Sequence, residues 1–155
     1  MKIAIAAVGH RQPTWVQDGC NEYLRRLPRE FSARLIEIRA EARDGRNRAQ
    51  LLAAEKTRIL TALEDYPRRI ALDERGRDLT TRQFADEMDA WMQDGAAVAF
   101  LIGGADGLDA TLKSRAHCRL RLSSLTLPHG IARLLLCEQI YRAISLMKNH
   151  PYHRE

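Results

Sequence analysis

The stretch Ala97-Val98-Ala99-Phe100-Leu101-Ile102-Gly103-Gly104 is six apolar residues in a row, stopped by two glycines. A run this short without polar alternation reads as a strand covered on both faces, the condition of a strand inside a parallel sheet. Thr80 is placed to cap a preceding helix, Arg82–Gln93, that carries Phe84, Met88, Trp91 and Met92. Before it lie a third strand, Arg69–Asp73, and the turn-rich Glu74-Arg75-Gly76-Arg77-Asp78. A helix with Leu51, Leu52, Ile59, Leu60 and Leu63 follows the polar loop Glu41–Arg48 and ends at Pro67. Ala33–Ile38 alternates as a second strand. Thr14–Leu27 places Trp15, Val16, Cys20, Tyr23, Leu24 and Leu27 on one helical stripe ended by Pro28, and Lys2–Val8 is the first strand.

Downstream, a short helix near Ala110–Arg115 leads to a fifth strand, Leu120–Leu122, and a loop, Ser123–Gly130. A long helix, Ile131–Lys148, turns Ile131, Leu134, Leu135, Ile140, Tyr141 and Ile144 inward, and a polar tail, Asn149–Glu155, follows. Strands alternating with helices predict one α/β domain over residues 1–155: a mostly parallel, five- or six-stranded sheet with helices on both faces.

A hydrophobic fraction of 45% is enough for a packed core. No window approaches the roughly 20 apolar residues of a membrane span. The apolar start, Ile3–Val8, is too short for a signal peptide, so a cytoplasmic protein is expected. Cys20, Cys118 and Cys137 are odd in number and widely spaced, which argues against a disulfide framework or zinc knuckle. Charge is uneven: residues 113–155 hold eight Lys and Arg against two Asp and Glu, while residues 1–112 hold 17 against 18. A neutral body with a basic final third points to one face meeting a polyanion, although a solvated basic surface would read alike.

Open parallel sheets bind ligands beyond the carboxyl ends of their strands. Three such ends stand out: Leu72-Asp73, Leu101 to Gly107, and Leu122 to His129. The second is spaced GGxxG, not GxGxxG, and no GxxxxGK[ST] is present, so nicotinamide and nucleoside-triphosphate enzymes are disfavoured. The apolar side chains of Leu122-Ser123-Ser124-Leu125-Thr126-Leu127 suggest burial, and their backbone groups then need partners, either other backbone or the edge of an adenine. The tail crowds His150, Tyr152, His153 and Arg154 into seven residues; His150 and His153 lack two further ligands at recognisable spacing, so no metal is expected. From the residues alone three functions stay open: an enzyme, an RNA-binding protein without catalysis, and a flavodoxin-like small-molecule binder.

The LIGGADG turn, the SSLTLPH loop, the IYRA helix segment and the terminal NHPYHRE together resemble the RlmH-type rRNA methyltransferases of the SPOUT class. Ala7-Val8-Gly9 and the Glu22-Tyr23-Leu24-Arg25-Arg26 stretch are similar too, and the likeness covers essentially the whole chain. Ala105-Asp106 stands where Pro-Glu is commoner. The resemblance implies a C-terminal trefoil knot, a homodimer with an active site composed from both subunits, and methylation of N3 of a pseudouridine in 23S rRNA on the assembled ribosome. It implies S-adenosyl-L-methionine held near Leu72, Gly103, Leu122, Ser123, Ser124, Leu125, Thr126 and Leu127. Arg142 is then expected to stabilise charge on the base, His153 to take a proton, Glu138 to orient Arg142, and Tyr152 to stack on the target. His129, Lys148 and Arg154 are expected to meet RNA.

Overall fold

The computed structural model describes residues 1–9 and 11–153, His153 by its backbone alone. In chain order the elements are β1 (Lys2–Gly9), α1 (Thr14–Arg25), β2 (Ser32–Arg39), α2 (Arg48–Ala62), β3 (Arg68–Asp78), α3 (Thr81–Asp94), β4 (Val98–Ile102), α4 (Ala110–Ser114), β5 (Cys118–Arg121) and α5 (His129–Met147), then a 3-10 turn at Pro151–His153. The strands form one sheet in the order β2-β1-β4-β3-β5. All four pairings are parallel, as the unbroken apolar run of β4 predicts.

Alternation along the central strands sends successive side chains to opposite faces. Ile3, Ile5 and Ala7 of β1, with Phe100 and Ile102 of β4, meet α1, α3 and α5 through Val16, Met88, Leu136 and Ile140. Ala4, Ala6, Val8, Ala99 and Leu101 meet α2 and α4 through Ile59, Leu63 and Leu112. Both faces are thus dry, and the helices divide three against two.

Local chemistry sets the helix ends. Thr80 accepts from the Gln83 N–H while the Gln83 side chain accepts from the Thr80 N–H, a reciprocal cap that starts α3 at Thr81. Asn47 and Gln50 make the same pair at α2, so the polar loop ends one residue sooner than the sequence indicates. Gly95, at φ +76°, closes α3 in the left-handed conformation that a Cβ would strain.

Several sequence-based boundaries shift. β3 runs to Asp78, not Asp73: it leaves β5 after Leu72 and rejoins at Arg77, both residues facing Leu120. The return brings Gly76 so close to β5 that a Cβ there would lie 2.7 Å from the Arg119 carbonyl carbon and oxygen. β5 begins at Cys118, two residues early, and α1 stops at Arg25, two before Leu27. Trp15 is 57% exposed and Ile131 37%, against the inward facing their spacing predicts. Leu134 and Leu135 are half-buried, whereas Arg133, Leu136, Cys137 and Ala143 join Ile140, Tyr141 and Ile144 inside. α5 is apolar on most of its circumference, so periodicity alone does not select its buried face.

Candidate functional site

The irregular middle of β3, where it parts from β5, and the carboxyl ends of β4 and β5 surround a cavity of about 820 Å³. Pockets for small ligands fall between about 300 and 1,000 Å³. Its walls are Leu72 and Asp73 where β3 parts from β5, Ile102 of β4, the turn Gly103–Leu108, Leu120 and Arg121 of β5, the loop 122–127, and His129 and Ala132 of α5. The turn is tight. A Cβ on Gly103 would lie 2.4 Å from the Gly107 carbonyl carbon, and the Gly107 N–H donates to the Gly104 oxygen at 3.0 Å. Gly107 itself sits at φ +79°. Glycine is thus required at Gly103 by the turn's own packing, and the turn lines the cavity together with Ala105, Asp106 and Leu108.

Leu72, Gly103, Leu122, Ser123, Ser124, Leu125, Thr126 and Leu127, expected at the cofactor, all line this one cavity, and so does His129. The loop is more open than its composition suggests. Leu125 is 77% exposed, Ser124 and Thr126 are exposed, and only Leu122, Ser123 and Leu127 are half-buried. Local bonds hold it: Arg121 donates to the Ser124 hydroxyl at 2.6 Å, and the Leu125 N–H donates to the Ser123 hydroxyl at 2.9 Å. The opposite rim is pinned by Arg43 and Arg48, which reach the Asp106 carboxylate and carbonyl at 2.6 and 2.8 Å.

A second cluster lies further along α5. Glu138 Oε1 accepts from Arg142 Nε at 2.8 Å and from the Tyr152 hydroxyl at 3.1 Å, while Gln139 donates to Oε2 at 2.7 Å. The Arg142 guanidinium lies 5.1 Å from the Tyr152 ring centroid. Tyr152 packs edge-on to Tyr141 at 4.5 Å, and its hydroxyl lies 3.5 Å from that of Tyr23. Burial, then the bond to Tyr23 and the Glu138 charge, push the Tyr152 phenol well above the usual tyrosine range, so it stays a donor. Arg26, the residue that caps α1, lies against this group, 5.3 Å from the Tyr23 ring centroid and 5.9 Å from that of Tyr141.

Glu138, Arg142 and Tyr152 thus come together, but not with the cavity of the same chain. Ala132 lines that cavity, and Arg142 is ten residues on, about 15 Å along the helix axis. Lys148 stands apart again, paired with Glu30 at 2.5 Å beside the Phe31 ring. The His153 side chain and Arg154 lie outside the described residues.

Sequence reasoning overlooked Tyr23 and Arg26 as tail partners, because the Tyr23–Tyr152 contact spans 129 positions. It also counted Arg133 in a basic surface. That residue is 1% exposed, crosses the end of β1 beside Gly9 and pairs with Glu37 of β2 at 3.1 Å. Its place between Ile131 and Leu134 on an apolar helix was the available signal.

A parallel sheet with a glycine turn and an adjoining apolar loop at its ligand edge defines a class, and the match to known families names it. Residues 1–153 fit the family model described as "Predicted SPOUT methyltransferase", and the chain belongs to that family. It is 63% identical over 155 residues to the ribosomal RNA large subunit methyltransferase H of Dechloromonas aromatica, covering 100% of this chain and 99% of that one. The protein of the same name from Burkholderia thailandensis is 56% identical, with 99% of each chain covered. Among solved structures, a probable methylase family protein from Haemophilus influenzae superimposes with a TM-score of 0.60 at 14% identity, over 99% of this chain and 70% of its own, a likeness of fold.

Proposed function

We propose that this chain transfers a methyl group from S-adenosyl-L-methionine to N3 of a pseudouridine in 23S rRNA on the assembled ribosome. It acts as a cytoplasmic homodimer, each chain a single SPOUT domain over residues 1–155 with a C-terminal trefoil knot. The observation that carries the reading is the convergence of Leu72, Gly103 and the 122–127 loop on one cavity, in a chain 63% identical to a ribosomal RNA large subunit methyltransferase H.

The cavity suits an adenosyl group. Leu72, Ile102, Leu120 and Leu122 give an adenine apolar walls, and the bare backbone around Gly103 allows close approach. When bound, the cofactor supplies an electrophilic methyl group for in-line displacement, so the protein's task is chiefly positioning. The accepting nitrogen carries a proton at neutral pH. Arg142 stabilises the negative charge left on the base. Glu138 holds that guanidinium in place with two contacts, 2.8 Å from Nε and 2.7 Å from Nη2. His153 takes the proton, the part an imidazole general base plays near neutrality. Tyr152, with the Arg142 guanidinium 5.1 Å from its ring centroid, stacks on the target base. His129, Lys148 and Arg154 grip phosphates.

Separation of the two clusters within one chain supports the dimer, because the Glu138–Arg142–Tyr152 group of one subunit then completes the cavity of the other. The exposed Trp15 and Ile131 mark α1 and α5, which pack together, as the face for a second copy.

The test is mass spectrometry of 23S rRNA from a strain lacking the gene. One methylated pseudouridine is lost and returns when purified protein and S-adenosyl-L-methionine are added to its ribosomes. An rRNA spectrum indifferent to the gene refutes the assignment.

A further inference from the structure

Asp73 sits where β3 parts from β5, one residue beyond the apolar Leu72, and both line the cavity. Its side chain is only 8% exposed. Oδ1 accepts the Arg75 N–H at 3.2 Å. Oδ2 has cations near it but none in hydrogen-bond reach: Arg119 Nη1 is 3.7 Å away and Lys113 Nζ 4.0 Å. A carboxylate offers about four acceptor positions. Asp73 therefore has acceptor capacity on the cavity side that no described residue fills.

The surroundings select the donor. With Lys113 and Arg119 already flanking the carboxylate, a third cation such as an α-ammonium would be repelled by both. A neutral diol brings two donors without that cost. The residue is also held firmly, since the strand rejoins β5 at Arg77 and Gly76 lies against the Arg119 backbone.

We propose that Asp73 binds the ribose hydroxyls of the cofactor and so selects a ribonucleoside over a deoxyribonucleoside. The inference rests on the S-adenosyl reading of the cavity.

Calorimetry on the full chain, with S-adenosylhomocysteine and its 2′,3′-dideoxy analogue as probes, tests this. Hydrogen bonds to a carboxylate predict that wild type binds the analogue about 10- to 100-fold more weakly. Asp73→Asn weakens S-adenosylhomocysteine by about tenfold or more and leaves the analogue's affinity as in wild type. Equal weakening of both ligands by the substitution would make Asp73 a merely structural residue and overturn the proposal. Wild type binding both ligands equally overturns it with no variant needed. If wild type binds neither, the S-adenosyl reading itself fails and this inference with it.

Discussion

One oxygen, Oε1 of Glu138, accepts both the Tyr152 hydroxyl at 3.1 Å and Arg142 Nε at 2.8 Å, so a single carboxylate joins the tail to the last helix. Disturbing it moves a guanidinium and a phenol together. Glu138→Gln and Tyr152→Phe are each expected to lower kcat on ribosomes by about 10²-fold. Cofactor affinity should fall far less than kcat, because Leu72, Gly103 and the 122–127 loop, which line the cavity, are left intact and the cluster's proposed work is on the base. Calorimetry beside single-turnover kinetics checks this; cofactor binding that weakens in step with kcat would refute the separation of the two sites.

Burial, the Tyr23 bond and the Glu138 charge raise the Tyr152 phenol, which sets a sign for alkaline behaviour. The unfolded chain releases this proton at about pH 10, before the folded one does. The contribution is therefore fully present below that pH and is lost as pH rises further. An ultraviolet absorbance titration should show one late-ionising phenol that Tyr152→Phe removes. The variant's stability should also fall less steeply above pH 10. Equal titration curves would contradict the burial described.

Gly103→Ala drives a methyl group to 2.4 Å from the Gly107 carbonyl carbon, and backbone cannot yield as a flexible side chain can. The turn must open, and the cavity wall it forms changes shape. A loss of cofactor affinity of about 10²-fold is expected with the sheet still folded, since this turn lies at the cavity's edge. Binding calorimetry and thermal melts together decide it, and an unchanged Kd would show that the turn does not touch the ligand.

Arg133 is buried with Nε and Nη2 unpartnered, and Glu37, its one ion-pair partner among the described residues, is half exposed. Replacing such a cation by an apolar side chain of similar length is often neutral or stabilising. Arg133→Met is thus expected to hold or raise stability, whereas Arg133→Ala leaves a cavity and loses about 2–4 kcal/mol. Denaturant unfolding separates them. A large loss in both would mean that the charge itself is needed.

How much could be read without the fold varies with the range of the interaction that decides each feature. The run Val98–Ile102 announces a central strand because burial on both faces removes every polar residue from it. Thr80 announces a helix start because its cap is formed by Gln83, three residues on. The second half of β3 was not legible: Arg77 is a strand residue only because Gly76 lets the chain approach Arg119 of another strand. The cavity residues after β4 and β5 were legible as strand ends, which topology brings together, and Leu72 joins them where β3 parts from β5. Their separation from Glu138 and Arg142 was not, since it depends on where α5 starts relative to the sheet. Arg133 misled because charge counting assumes that charges are outside.

The pairing of Arg133 with Glu37, 96 positions away, and of Tyr152 with Tyr23 has a kinetic consequence. Contacts of such long range slow folding, because the loop between them must close before they form. Until α5 is made, the face of β1 and β4 that carries Ile3, Ile5, Phe100 and Ile102 lacks the Leu136 and Ile140 that cover it. The nascent chain therefore exposes that apolar face until its last helix emerges, and C-terminal truncations that remove α5 should aggregate instead of forming a smaller folded sheet.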